Sequence, residues 1–374
     1  MIKVGITGQA GFMGTHLYNY LNLKKDEITL VSFKDEYFLD KEQLKKFVQE
    51  CDTIVHLAAM NRHGDAQVIY ETNIRLVRQL IEVLEETGSA PHVLFSSSTQ
   101  EERDNLYGKS KLEGRQLLAE WATKNNAHFT GLIIPNVFGP FGNPYYNSVI
   151  ATFCHQLTHN EQPLIDVDGQ MKLIYINELV EEFYKLIVTR HSSLITSYSV
   201  PHTSEKKVSE ILAILQNFKS LYLEKGIFPN LNDPFELNLF NTFVCYMDIE
   251  KYYPVKMKLQ TDERGSFVET VKLNSGGQVS FSTTKPGITR GNHFHTRKAE
   301  RFSVIKGKAL IQLRRIGTDK VLNFELDGRE PAYVDMPVWY THNITNTGSE
   351  EVYTIFWISE LFNPDDTDTF IEKV

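Results

Sequence analysis

The chain has 374 residues, 41% of them apolar and 23% charged, and a formal net charge of −8. This is globular composition at a length that predicts two domains. It excludes a broad nucleic-acid surface, which needs a basic face, and no apolar run reaches the ~18 residues of a membrane span.

In chain order, Met1 leads straight into the apolar run Lys3–Thr7, so a strand is expected and a signal peptide is not. Gly8-x-x-Gly11-x-x-Gly14 follows at once, then a helix over Gly14–Leu21. Glycines at a strand-to-helix turn let the backbone approach a pyrophosphate, which rests on the helix N-terminus. Further apolar runs at Ile28–Phe33, Thr53–Leu57, His92–Ser97 and Phe129–Pro135 read as buried parallel strands. Helical stretches at Asp65–Glu86 and Lys109–Lys124 lie between them, the pattern of a doubly wound α/β sheet. Residues 205–224 add an amphipathic helix.

The middle of this region carries chemistry. Tyr107 and Lys111 stand at i, i+4 and share a helix face. An ammonium beside a phenol lowers its pKa, which would make Tyr107 a proton donor or acceptor near neutrality. Ser97, Ser98 and Thr99 end the preceding strand, and one of their hydroxyls can hold a carbonyl oxygen. After Val31 the run Ser32-Phe-Lys-Asp-Glu36 bears on the cofactor. An acid there binds a ribose diol and a base accepts a 2′-phosphate. Lys34 comes first, which favours NADP.

From about residue 245 the texture changes to short alternating strands. These are Val268–Leu273, Gln278–Thr283, Glu300–Ile305, Lys308–Arg314, Lys320–Leu326, Ala332–Met336 and Val352–Ile358. They predict an antiparallel sandwich or barrel, with domains at 1–247 and 248–374. Within it, His293 and His295 are two apart and, on a strand, face one side. Glu300 follows a short turn, and His342 comes from a distant strand. Three imidazoles and a carboxylate suit zinc, iron, nickel or manganese. The cysteines Cys51, Cys154 and Cys245 form no C-x-x-C pair, so reduced thiols and a cytoplasmic location are expected.

The first 245 residues resemble the extended short-chain dehydrogenase/reductases, with their Rossmann sheet. The glycine turn, His56-Leu-Ala-Ala59, Asn73, Tyr107-x-x-x-Lys111 and Pro135-Asn-Val-Phe-Gly-Pro140 carry the likeness. It implies Tyr107 as catalytic acid, Lys111 as its activator and nicotinamide-ribose ligand, and Ser98 as the carbonyl-orienting hydroxyl. It also implies NADPH held by Gly8, Gly11, Phe12, Met13, Gly14, Lys34, Leu57, Ala58, Ala59 and Lys111.

The C-terminal part resembles the cupin superfamily, a jelly-roll barrel, through Gly287-x5-His293-x-His295-x4-Glu300-x6-Gly307 and His342. Trp339 stands where that family usually has glycine. Asp262-Glu-Arg-Gly-Ser-Phe267, Gln278–Ser282 and Gly287–His293 are also similar to deoxynucleotide-sugar 3,5-epimerases. Those likenesses give His293 two competing roles, catalytic base or metal ligand beside His295, Glu300 and His342, with zinc the expected metal.

A 4-keto sugar is a substrate that needs both ends: the ketone acidifies C3 for epimerisation and accepts hydride at C4. The whole-chain order resembles capsular polysaccharide enzymes. It implies C3 epimerisation of UDP-2-acetamido-2,6-dideoxy-4-hexulose, then NADPH-dependent C4 reduction to UDP-N-acetyl-6-deoxy-L-talosamine. A homodimer is expected from the cupin likeness. Two alternatives remain: a reductase with a structural or regulatory cupin, and a non-enzymatic NADP-binding sensor.

Overall fold

The computed structural model describes residues 1–189 and 195–374. Contacts divide it into two compact units. One is 1–138 with 142–149 and 169–207; the other is 139–141 with 150–168 and 208–374.

In the first unit, β1 (Ile2–Thr7), β2 (Ile28–Val31), β3 (Thr53–His56), β4 (His92–Ser98) and β5 (Phe129–Ile134) form a parallel sheet. Two short strands, β6 (Asn136–Phe138) and β7 (Gln170–Tyr175), come next and lie in a small separate sheet. β8 (Ile195–Ser199) then completes the main sheet, whose order is β2-β1-β3-β4-β5-β8. The chain leaves β1 for β2 on one side and returns to β3 on the other. Ligands of open α/β sheets bind at such a switch, beyond the carboxyl ends of the strands. β3 and the first six residues of β4 are buried throughout, as a sheet covered on both faces requires.

The helices α1 (Phe12–Asn22), α2 (Lys41–Glu50), α3 (Ala66–Thr87) and α4 (Leu106–Lys124) flank this sheet. Leu44, Phe47, Val48, Val77, Leu80, Val83, Leu84, Leu118 and Trp121 bury a core against Ile54, Val93 and Phe95. The caps fix where the helices start. Asp40 accepts from the amides of Glu42 and Gln43, and Asn105 accepts from that of Gly108 at 2.7 Å. The second of these sets the frame of Tyr107 and Lys111.

The second unit holds helices and an all-β region. Its helix over Val208–Phe218 runs on into a wider turn, Lys219–Leu223, matching the expected 205–224 segment. One five-stranded sheet has the order Val255–Lys256, Ala332–Met336, Glu300–Lys306, Val352–Ile358, Gln278–Thr284. The other runs Val321–Asp327, Lys308–Arg315, Tyr340–Asn346, Thr289–Phe294, Phe370–Ile371. Arg301 is buried and makes a two-pronged pair with Asp335, at 2.7 and 2.8 Å, and Tyr222 donates to the same carboxylate at 2.6 Å. Breaking a buried pair of this kind costs about 3–5 kcal/mol, because it strands a charge.

Two strand readings need correction. Only Lys272–Leu273 of the expected Val268–Leu273 strand pairs, with Ile227–Phe228. A hairpin of Gln260–Asp262 against Gly265–Phe267 precedes it. The strands that bear His293 and His342 are expected without bounds; they run Thr289–Phe294 and Tyr340–Asn346, where Gly291, Asn292, His342 and Asn343 interrupt the alternation of apolar residues. No described helix is long and apolar enough to cross a membrane.

Candidate functional site

The first unit presents a tight glycine turn between β1 and α1. Gly8 closes β1 at φ +70°, and a side chain there would lie 2.8 Å from the backbone of Ala58, beyond β3. A Cβ on Gly14 would sit 2.2 Å from the Gly8 carbonyl oxygen, so only glycine lets α1 start this close to the turn. Gly11 caps α1 with no side-chain hydrogen bond, and no acid stands in the first turn. The amides around Phe12 and Met13 therefore face a region that favours an anion. Leu57, Ala58 and Ala59 follow β3 across the switch point. Lys34, Asp35 and Glu36 are all exposed beyond β2.

The catalytic candidates lie at the ends of β4 and α4. Lys111 is buried, its ammonium donating to the Ser96 carbonyl at 2.9 Å and standing 5.8 Å from the centre of the Tyr107 ring. Burial lowers its pKa to about 8, with the Glu101 charge acting the other way. Tyr107 departs from expectation. Burial first, then Tyr146, pushes its phenol up to about 12. Withdrawal from water sets the direction, so the phenol is held protonated at neutral pH. That is the form a proton donor to a ketone needs.

The hydroxyls sort themselves by their hydrogen bonds. Ser97 is buried and gives its proton to Glu101. Ser98 is half-buried and accepts from the amide of Gln100 at 3.2 Å, which leaves its own proton to donate to a carbonyl oxygen. Thr99 is exposed. Asn73 ties the loop after β3 to α4, accepting from the Met60 amide at 2.7 Å and donating to Ser110 at 3.0 Å. Glu101 carries no mark in the sequence. It also binds Arg115 through two nitrogens, at 2.9 and 2.6 Å, and so joins the end of β4 to α4.

In the second unit, His293, His295, Glu300 and His342 each turn one ligand atom to a common point, all within 4.8 Å of one another. A bulge at Gly291–His293, with Asn292 at φ +60°, re-aims His293 opposite His342 on the neighbouring strand. His295 lies just past the strand end, not on it. Glu300 opens its strand in the facing sheet.

The His295 and His342 Nε2 atoms lie 3.2 and 3.3 Å from one Glu300 oxygen. All three atoms are buried, and none is satisfied by a hydrogen bond. Each ring is turned by its other nitrogen: Nδ1 of His295 meets the Asp368 carbonyl at 2.5 Å, and Nδ1 of His342 meets that of Tyr340 at 3.2 Å. A carbonyl only accepts, so each Nδ1 carries a proton and, in the neutral ring, each Nε2 lone pair faces inward.

Burial lowers the His293 pKa to about 4, with help from His342 and His295, so this ring is neutral at pH 7. A neutral His293 ring, two further imidazoles whose Nε2 atoms lack partners, and a buried carboxylate fit a divalent cation. Trp339, in place of the usual glycine, adopts a left-handed backbone at φ +63°, and its amide donates to the His295 carbonyl at 2.8 Å.

Comparisons with known proteins match the two ends of the chain to different families. The NAD dependent epimerase/dehydratase family matches residues 4–196. The polysaccharide biosynthesis C-terminal domain matches residues 260–370. The UDP-2-acetamido-2,6-beta-L-arabino-hexul-4-ose reductase of Pseudomonas aeruginosa is 31% identical over 99% of this chain and 98% of its own length. The crystal structure of the capsular polysaccharide assembling protein CapF from Staphylococcus aureus is 35% identical, covers 100% of both chains and has a TM-score of 0.62. RMD from Pseudomonas aeruginosa shares the fold at 21% identity and a TM-score of 0.53, over 59% of this chain and 83% of its own.

Proposed function

This chain belongs to the NAD dependent epimerase/dehydratase family, and on that premise we propose that it is a bifunctional nucleotide-sugar enzyme. Residues 248–374 epimerise UDP-2-acetamido-2,6-dideoxy-4-hexulose at C3. Residues 1–247 then reduce C4 to give UDP-N-acetyl-6-deoxy-L-talosamine, on the way to UDP-N-acetyl-L-fucosamine. The observation that carries this reading is the presence, in one chain, of a half-buried Tyr107 beside a buried Lys111 and a converging His293–His295–Glu300–His342 cluster. The full-length likeness to a hexul-4-ose reductase and to a capsule-assembling protein supports it.

In the epimerase step, the C4 ketone acidifies C3. A base removes that proton and protonation from the other face inverts the centre. His293, neutral and the least buried of the four, is suited to take the proton or to serve as fourth ligand. His295, Glu300 and His342 would hold the cation, most simply zinc, which supplies positive charge for an enolate oxygen. In the reductase step, Ser98 orients the C4 carbonyl and Tyr107 gives its proton to the oxygen. Lys111 keeps positive charge beside the phenol as it ionises and binds the nicotinamide ribose. NADPH, cradled by Gly8, Gly11, Phe12, Met13, Gly14 and Leu57–Ala59, supplies the hydride.

Lys34 carries the choice of cofactor. A charged contact to the 2′-phosphate is worth about tenfold in affinity. Oxidation of reduced nicotinamide in the presence of a UDP-4-keto-hexosamine tests both points. Reduction is expected with NADPH, and Lys34→Ala is expected to raise KM for NADPH about tenfold while leaving KM for NADH alone. Faster oxidation of NADH, or no oxidation of either, contradicts the assignment.

The homodimer has support in the second unit. Every residue of the hairpin strands Gln260–Asp262 and Gly265–Phe267 is exposed, and Phe267, Val279 and Phe281 are 62, 58 and 73% exposed. Apolar groups on an edge strand and an unpacked hairpin are the surfaces a second copy covers.

A further inference from the structure

Asp368 lies 73 residues beyond His295, in the tail of the chain, yet is only 5% exposed. Two groups of this one residue act on the segment that starts at His295. Its backbone carbonyl takes the His295 Nδ1 proton at 2.5 Å. Its carboxylate accepts from the Thr296 amide at 3.0 Å, the Thr296 hydroxyl at 2.7 Å, and the Arg297 and Lys298 amides, each at 3.1 Å. The carboxylate thus fills a nest of three consecutive amides.

The residues around Asp368 hold it there. Lys298 donates to the Thr367 carbonyl at 2.5 Å, and Arg297 pairs with Asp366 at 3.0 Å. Phe370 pairs with Phe294 in the sheet, and their rings stack at 5.3 Å. Asp368 itself adopts φ +42°, a left-handed conformation that non-glycine residues take up only when their surroundings demand it. That backbone turn aims the carbonyl at the imidazole and the carboxylate at the amides together.

We propose that Asp368 is a positioning residue for the divalent-cation site. The C-terminal strap 366–371 locks the tautomer and angle of His295, and the site is complete only with the strap in place. This rests on the reading that His293, His295, Glu300 and His342 hold a cation. Without the carboxylate, three amides of a buried turn lose their acceptor, the turn relaxes, and the imidazole loses its fixed direction. Partners of this kind are worth about 10–100-fold in metal affinity.

The test uses the full chain, with zinc affinity read by chelator competition and the visible spectrum of the cobalt(II)-substituted protein as a second readout. Asp368→Gly removes the carboxylate and suits the left-handed backbone. It is expected to weaken zinc about 10–100-fold and to shift the cobalt bands. Asp368→Asn keeps one acceptor oxygen and tolerates the same backbone, and its affinity should fall between glycine and wild type. Wild-type affinity and spectrum in Asp368→Gly overturn the proposal and leave the metal site standing, as does an asparagine variant no better than glycine. Should the glycine chain not fold, wild-type affinity in Asp368→Asn overturns it. A wild-type protein that takes up no zinc or cobalt overturns the metal reading, and this proposal with it.

Discussion

Tyr107→Phe is expected to lower kcat/KM for NADPH-dependent reduction of a UDP-4-keto-hexosamine by ~10²–10⁴-fold, the span of a lost general acid. That corresponds to roughly 3–5 kcal/mol of transition-state stabilisation. The phenylalanine ring fills the same half-buried space, so cofactor affinity should stay within about twofold. Only the proton is lost. Steady-state oxidation of NADPH, with cofactor binding measured separately, checks both halves. The pH profile carries a second sign. Tyr107, raised to about 12 by burial, stays protonated through the working range. Lys111, lowered to about 8, keeps its charge only below that pH. The rate should therefore fall as pH rises through about 8. A flat profile to pH 10 means that the Lys111 charge is not needed. A Tyr107→Phe enzyme with full activity removes the reductase assignment.

Glu300→Ala is expected to empty the C-terminal site and to abolish exchange at C3. Glu300 supplies the one carboxylate among the four converging groups, and its removal leaves three imidazoles with no anionic ligand for a cation. Metal affinity should fall by more than the ~10–100-fold that an outer partner is worth. The reductase half should be spared. NADPH oxidation with a substrate already epimerised should stay near wild type, whereas turnover from the unepimerised substrate should fail. Metal content by elemental analysis and deuterium uptake at C3 read the two effects separately. Deuterium uptake unchanged in Glu300→Ala would mean that the β domain is structural or regulatory, and that the chain has a single activity.

The sequence makes the N-terminal sheet legible because its strands are buried on both faces and stand as unbroken apolar runs. Thr53–His56 and His92–Ser98 are read within one residue of their ends. The β domain is legible where apolar residues run nearly unbroken, as in Ala332–Met336 and Val352–Ile358. The bounds of the two strands bearing His293 and His342 are not legible, because the site itself breaks the apolar pattern. The metal-ligand candidates are nonetheless found, because side-chain chemistry and spacing survive the loss of strand periodicity. What escapes the reading entirely acts over long separations. Glu101 serves through Arg115 and Asp368 through His295, and neither pairing leaves a local trace. The environment of Tyr107 also escapes: the i, i+4 spacing places Lys111 correctly, but the burial that raises the phenol is a tertiary property.

The central claim is that one keto-sugar is handled twice by one chain. Incubation of the wild-type protein with a UDP-2-acetamido-2,6-dideoxy-4-hexulose in D2O, with and without NADPH, tests it most directly. Deuterium should enter at C3 without cofactor, and a reduced sugar should appear only when NADPH is added, carrying deuterium at C3 as well. Reduction that proceeds with no deuterium at C3 under either condition would contradict the account.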